Sequence, residues 1–261
     1  MRILMIGDVI GRPGRDAVRR ILPALRQEKD IDLVIANGEN AAGGFGLTAE
    51  TASELLDASV DVISSGNHIW DKKEFIPYLD DVQGEGLPVL RPANYPDAPG
   101  VGVIRHRGVA VINLMGRVFM TQLDCPFRTA DHILEELRSE EETPVVIVDF
   151  HAEATSEKQA MGWYLDGRVS AVFGTHTHVG TVDARILPQG TAYLTDVGMT
   201  GPEDSVIGSD TNAVLQRFLT SMPNSLTVAK GHCIFNSVLV EVDEKTGRSV
   251  SLERIDRTTR K

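Results

Sequence analysis

Seven residues of this 261-residue chain carry donor atoms that could hold metal ions: Asp8, Glu39, Asn40, Asn67, His151, His176 and His178. Each follows a short apolar run that reads as a β-strand. Carboxylate, carboxamide and imidazole donors in this mixture suit iron, manganese or zinc, whereas calcium would want an all-oxygen cage. Loops at strand ends hold such ligands on a rigid sheet while letting them face one crevice. A dinuclear hydrolytic centre needs a bridging ligand, several terminal ligands and open positions for water and substrate oxygens. Asp8 and Glu39 are the anionic donors, and either could bridge. His176 and His178 are one residue apart, so a single loop could serve both metals. Asn67 offers a neutral oxygen that limits the negative charge and leaves the site attractive to phosphate, and His151 adds a third imidazole. The chemistry implied is metal-dependent hydrolysis of a phosphate ester.

Taken singly, each residue has an ordinary explanation. Asp8 could cap a helix, Asn40 and Asn67 could hold turns, and a lone His151 could be a structural hydrogen-bonder. Their joint placement at strand ends favours the metal reading. His106, His132 and His232 lie outside the pattern and read as structural, and Asp183 and Asp196 as either outer partners of the ligands or turn residues. Gly7, Gly11 and Gly14 lack both the Lys-Ser/Thr ending of a P-loop and the G-x-G-x-x-G spacing. Gly43-Gly44-Phe45-Gly46 reads as a mobile loop that could place Phe45 against a nucleobase. Ser64-Ser65 reads as part of a turn, and Cys125 and Cys233 as non-catalytic.

The elements needed to position these groups are legible as apolar runs. Arg2–Gly7, Asp32–Ala36 and Val60–Ser64 read as buried strands, with a helix between the first two and another capped by Thr48 and running to Ala58. Pro23 should kink or shorten the first helix. Near-continuous apolar strands alternating with helices predict βαβ units and a parallel sheet. Val101–His106 with Val109–Leu114 predicts an antiparallel hairpin. A helix over Pro126–Arg138 and strands over Val145–Val148 and Val169–Phe173 follow. Two further hairpins are expected, Ala184–Leu187 with Thr191–Leu194 and Cys233–Val242 with Ser249–Ile255. No repeat, low-complexity tract or linker divides the chain. The expectation is one α/β domain over residues 1–261, a four-layer αββα sandwich of two mixed sheets flanked by helices.

Composition narrows the setting. With 42% hydrophobic and 24% charged residues, the chain is ordinary for a globular protein. A formal charge of −11 argues against a stable, nonspecific grip on DNA, RNA or an anionic membrane. Two cysteines make no disulfide framework, no apolar stretch is long enough to span a bilayer, and the N-terminus lacks a signal-peptide core. A cytoplasmic location is expected. The oligomeric state is open, a homo-oligomer included.

Asp8, Glu39, Gly66-Asn67-His68, His151 and His176-Thr177-His178 occur in the order of the calcineurin-like metallophosphoesterase motifs. The strings GDVIGRPGR, NGENAAGGFG and SGNHIWD resemble more narrowly the YmdB-like metallophosphodiesterases. The resemblance spans nearly the whole chain. Against the wider superfamily, the usual D-x-H start has become Asp8-Val9-Ile10, and the usual GD motif is Gly38-Glu39-Asn40. The YmdB-like resemblance implies that Glu39 bridges and that Asn40 fills the place of the missing histidine. It thus implies one metal on Asp8, Glu39, Asn40 and His178, and the other on Glu39, Asn67, His151 and His176. It implies two divalent or trivalent transition-metal ions, iron first, with manganese able to substitute. Ile69 stands where an acidic residue often follows the GNH motif, which weakens the expectation of a carboxylate assisting His68.

On this reading a metal-bridging hydroxide attacks phosphorus, and His68 is the catalytic proton donor to the departing oxygen. The resemblance points to cyclic nucleotides as substrates, 2′,3′-cyclic monophosphates first and 3′,5′-cyclic ones as a further candidate. Two rival readings stand beside it. One is a phosphomonoesterase or protein phosphatase with the same centre. The other is a regulatory nucleotide-binding protein with little turnover.

Overall fold

The computed structural model describes residues 1–80, 87–139 and 145–260. The chain opens with β1 (Arg2–Ile6), β2 (Asp8–Val9), α1 (Gly11–Glu28), β3 (Leu33–Asn37), α2 (Ala49–Asp57) and β4 (Val62–Ser64). After a 3₁₀ turn come α3 (Ile76–Leu79), β5 (Val103–His106), β6 (Val109–Met115) and α4 (Pro126–Ser139). Then follow β7 (Val145–His151), α5 (Thr155–Leu165), β8 (Ala171–Thr175), β9 (Arg185–Ile186), β10 (Ala192–Leu194) and β11 (Met199–Pro202). The last part holds α6 (Thr211–Thr220), β12 (Cys233–Phe235), β13 (Ser237–Val242), β14 (Ser249–Arg254) and β15 (Arg257–Thr258).

Two large sheets form the centre, ordered β14-β13-β1-β3-β4 and β5-β6-β7-β8-β10-β9. β1, β3 and β4 run parallel, as do β6, β7, β8 and β10, and antiparallel strands are added at the edges. Side chains alternate across each strand. Ile3, Met5, Leu33 and Ile35 therefore meet Val111, Ile147 and Phe173 of the facing sheet in one buried cluster. On the outer face of the first sheet, Leu4, Ile6 and Val34 pack on Val18, Leu22 and Leu25 of α1 and Leu55 of α2. On the outer face of the second, Ile112, Val146 and Val148 pack on Ile133, Leu134 and Leu137 of α4 and Met161 and Leu165 of α5. These are the four layers expected from the sequence. Thr48 caps α2 with a reciprocal Thr48–Thr51 capping box. Arg107 and Gly108, both at positive φ, make the two-residue turn of the β5–β6 hairpin.

Four features differ from expectation. A third, small sheet, β15-β12-β11-β2, accompanies the two large ones. It arises because the chain leaves β1 at Gly7 and pairs Asp8 and Val9 with Met199 and Thr200 instead. For the same reason the strand expected over Cys233–Val242 is split at Asn236, which accepts the Gly7 N–H at 3.0 Å through its carbonyl and the Met199 N–H at 3.2 Å through its side chain. Pro23 neither ends nor shortens α1, because it lies on the exposed face, where the carbonyl it leaves unpaired is open to water. Finally, Asp8 and His151 are strand residues, the first of β2 and the last of β7, rather than residues beyond a strand.

A Cβ at Gly7 would overlap the Gly198 carbonyl oxygen, so only glycine lets the chain change sheets there. Gly7→Ala should cost about 1–3 kcal/mol of stability by overpacking, read as a lower urea midpoint with an unchanged slope.

Candidate metal centre

The carboxyl ends of β3, β4, β7 and β8, together with the short β2, bring all seven predicted ligands to one place. Asp8, Glu39, Asn40 and His151 are buried, while Asn67, His176 and His178 are partly exposed. Around the Nε2 of His151 lie Glu39 Oε1 at 3.1 Å, Asn67 Oδ1 at 3.0 Å and His176 Nδ1 at 3.0 Å. One imidazole nitrogen carries at most one proton, so it cannot hydrogen-bond all three. Donor–donor spacings near 3 Å are instead the edges expected when adjacent ligands lie about 2.0–2.2 Å from a common metal ion. Glu39, His151 and His176 form a group whose donor atoms all lie within 4.8 Å of one another.

A second set adjoins the first through Glu39. The Asn40 amide lies 3.3 Å from Glu39 Oε1 and 3.2 Å from His178 Nε2, and Asp8 Oδ1 is 3.7 Å from the same nitrogen. Asp8 Oδ1 is buried without a hydrogen-bond partner, which a buried carboxylate oxygen tolerates when it faces a cation. A half-turn of the Asn40 amide exchanges its nitrogen and oxygen at almost no cost in shape, and so presents the oxygen to a metal. Glu39 Oε1 is the atom common to both sets, while Oε2 accepts the His68 backbone N–H at 3.0 Å.

Each of the three histidines has its other nitrogen occupied, as metal-ligating imidazoles do. His151 Nδ1 donates to Thr175 Oγ1 at 3.0 Å, and that hydroxyl donates onward to Asp149 at 2.7 Å. His176 Nε2 faces Glu153 at 3.1 Å, and His178 Nδ1 donates to the Ile207 carbonyl at 2.9 Å. The remaining ring nitrogens all turn inward. Gly66 leaves room for this arrangement, since a Cβ there would overlap the His151 ring.

The charges agree with a cation site. Burial raises the carboxyl of Asp8 to about 6 against the pull of His178 and His151. Burial also works against ionised Glu39, but His151 and His68 outweigh it and hold Glu39 down at about 2. For His151, burial disfavours the imidazolium, yet Glu39, Asp8 and Asp149 push it up to about 9. The field that retains a proton on His151 would equally retain a metal ion. Burial and the neighbouring His151 push His176 down to about 3, which keeps the ring neutral.

The loop carrying His176 and His178 is strained, with both at positive φ (101° and 64°). Such conformations persist only where the surroundings impose them. Here Asp196 accepts the backbone N–H and the hydroxyl of Thr177 at 3.2 and 2.8 Å. It also pairs with Lys158 at 2.6 Å, both side chains being buried. Asp196 thus braces the loop that carries His176 and His178. Asp183 serves a turn, accepting from the hydroxyls of Thr181 and Thr195.

His68 sits beside this cluster with its Nδ1 2.8 Å from Asp71 Oδ2 and its ring edge-on to Phe45 at 5.1 Å. A carboxylate does pair with His68, where Ile69 had weakened the expectation of one. It comes from three residues along, within the string SGNHIWD, where the turn Asp71 N–H to His68 carbonyl brings it back. Asp149, Thr175, Glu153 and Lys158 also support the centre without having been expected. Their partners are distant in sequence, so no local spacing announces them.

A four-layer αββα sandwich with a nitrogen and oxygen donor cluster at its strand ends defines a metallophosphoesterase. The model for the family described as YmdB-like protein matches residues 4–255, and the chain belongs to that family. It is 50% identical over 260 residues to a Bacillus subtilis protein named 2′,3′-cyclic-nucleotide 2′-phosphodiesterase, covering 98% of this chain and 96% of that one. A crystal structure of a Thermus thermophilus protein superposes with a TM-score of 0.90 at 47% identity, covering 99% of both chains. That of a Mycoplasma pneumoniae protein titled a novel phosphatase also gives 0.90, at 34% identity, covering 99% of this chain and 93% of the other.

If Glu39 is shared, Glu39→Gln should lower metal content at both positions, and His178→Ala at one only. Elemental analysis after metal loading and dialysis would show this, and equal losses in the two variants would contradict the shared ligand. Gly66→Ala should likewise lose metal by displacing His151, with circular dichroism unchanged.

Proposed function

We propose that this chain is a dinuclear metal-dependent phosphodiesterase that hydrolyses 2′,3′-cyclic nucleotides, with 3′,5′-cyclic monophosphates as further candidates. The observation that carries the reading is Glu39 Oε1 shared between two donor sets on the floor of a cleft of about 290 Å³. Asp8, Glu39, Asn40 and His178 would hold one ion, and Glu39, Asn67, His151 and His176 the other. Iron fits this donor set and manganese could replace it. When bound, the pair would supply Lewis acidity toward phosphate oxygens and activate water at neutral pH.

The chain's own groups do the rest. His68 lines the cleft, and with Nδ1 tied to Asp71 it turns Nε2 toward substrate. Protonated there, it donates to the ribose oxygen as the P–O2′ bond breaks, leaving a 3′-phosphate, the bond cleavage that the Bacillus subtilis relative's name specifies. Asp71 holds the ring in register. The His68 backbone N–H meanwhile fixes Glu39, so one residue links proton transfer to the shared ligand. Ile10, Phe45, Ile207, Leu226 and Val228 give the cleft an apolar side against which a base can lie. Phe45 is 40% exposed and already packs on His68, which places an aromatic face beside the reacting phosphate.

His68→Ala should cut turnover of a 2′,3′-cyclic nucleotide by about 10²–10⁴-fold with metal content retained. Loss of metal in that variant would instead make His68 a ligand. Asp71→Asn should slow cyclic nucleotides more than bis-p-nitrophenyl phosphate, whose good leaving group needs little protonation. Equal slowing of both would assign Asp71 a purely structural role. Faster turnover of p-nitrophenyl phosphate than of its diester would favour the phosphomonoesterase reading.

A further inference from the structure

A second groove, of about 440 Å³, lies beside the metal cleft and shares Ile207, Ser209 and Leu226 with it. Its other side is α6, which contributes Val214, Arg217 and Phe218. Phe218 is 78% exposed, an unusual display for a large aromatic side chain. Arg217 makes no ion pair or side-chain hydrogen bond among the described residues. Unpaired among the described residues and beside an exposed ring, this guanidinium suits a phosphate next to a base.

We propose that this groove is a second nucleotide subsite, and that the substrate is the 3′ end of a short single-stranded RNA bearing a 2′,3′-cyclic phosphate. The inference rests on the phosphodiesterase reading of the metal cleft. The terminal nucleotide occupies that cleft, the preceding base stacks on Phe218, and the phosphodiester between them faces Arg217. Three observations choose this occupant: the continuity of the groove with the cleft, the unpaired guanidinium, and the exposed aromatic surface. The acidic remainder of the protein limits the contact to the last few nucleotides, since long nucleic acids need many cationic contacts. The chemistry is unchanged: water adds to phosphorus, the P–O2′ bond breaks, and the freed 2′ oxygen takes a proton.

The test compares 2′,3′-cyclic AMP with the trinucleotide ApApA ending in a 2′,3′-cyclic phosphate, using the metal-loaded enzyme. The trinucleotide should show kcat/KM at least about tenfold higher, the size expected of one base stacked on an aromatic side chain. Arg217→Gln and Phe218→Ala should each erase that ratio, chiefly through KM. Both residues are exposed, so the variants should fold, and their turnover of the mononucleotide reports it. Fluorescence anisotropy with a 5′-labelled ApApA 3′-phosphate should show the same loss of binding without any turnover. Equal kcat/KM for the two substrates, or a ratio unmoved by both variants, would overturn the subsite while leaving the phosphodiesterase reading intact. A dimer in solution that buries α6, seen by light scattering and lost in Phe218→Asp, would also overturn it. No turnover of either substrate would overturn both readings.

Discussion

The arrangement turns on one buried carboxylate. Glu39 is almost fully enclosed, and burial by itself would favour its neutral form. It stays ionised because positive or donor groups surround it: His151 against Oε1 and the His68 backbone N–H against Oε2. An ionised group in such a place is costly unless matched by charge. His151 and His68 oppose that charge, whereas the lone pairs of Asp8, Asn40, Asn67, His176 and His178 add none and would be matched only by a cation among them. Removing the match would leave the interior of the sandwich holding an unpaired charge where its two sheets meet.

Holding donors at such spacing needs a stiff outer frame, and the fold supplies it from both sheets. Asp149 lies at the junction, where burial raises its carboxyl above the usual range even as Ser64, Thr175 and Asn37 bond to it. It steers Thr175 and through it the ring of His151. Lys158 and Asp196 do the corresponding work for the strained loop of His176 and His178. Both devices link strands or helices far apart in the chain. The donor geometry is therefore a property of the sheet packing, not of any one loop.

That division explains what was legible in the sequence. Apolar runs ending in polar residues announced the parallel strands and put the seven candidate donors at or near their ends, because strand burial and polar strand exits leave local marks. The hairpins at Arg107-Gly108 and beyond β13 were equally local. The small sheet was not legible, because β2 and β15 span only two residues each and depend on a sheet change at Gly7. Pro23 does not shorten its helix, because a proline's effect depends on which face it occupies, and that is set by tertiary packing. Asp71 lay inside a string already singled out, but its pairing with His68 needed the turn that folds it back. Asp149, Glu153 and Lys158 left no signal, since their partners are set by topology alone.

The geometry lets specificity vary while the metal site does not. One wall of the cleft is built by residues 207–209 and 226–228, and strand-like bridges tie Ser209 to Val206 and to Val228. That wall is not independent of the cluster, because the Ile207 carbonyl accepts a hydrogen bond from His178 Nδ1 and so leaves Nε2 facing Asn40 and Asp8. The tie runs through the backbone of Ile207, held in a left-handed conformation at φ 48°, and not through its side chain, which is half exposed. Side chains along this wall can therefore change the shape of the cleft while the carbonyl keeps His178 in place. A shift of the backbone, by contrast, would move the cleft wall and His178 together. The wall can be varied residue by residue but not moved as a whole.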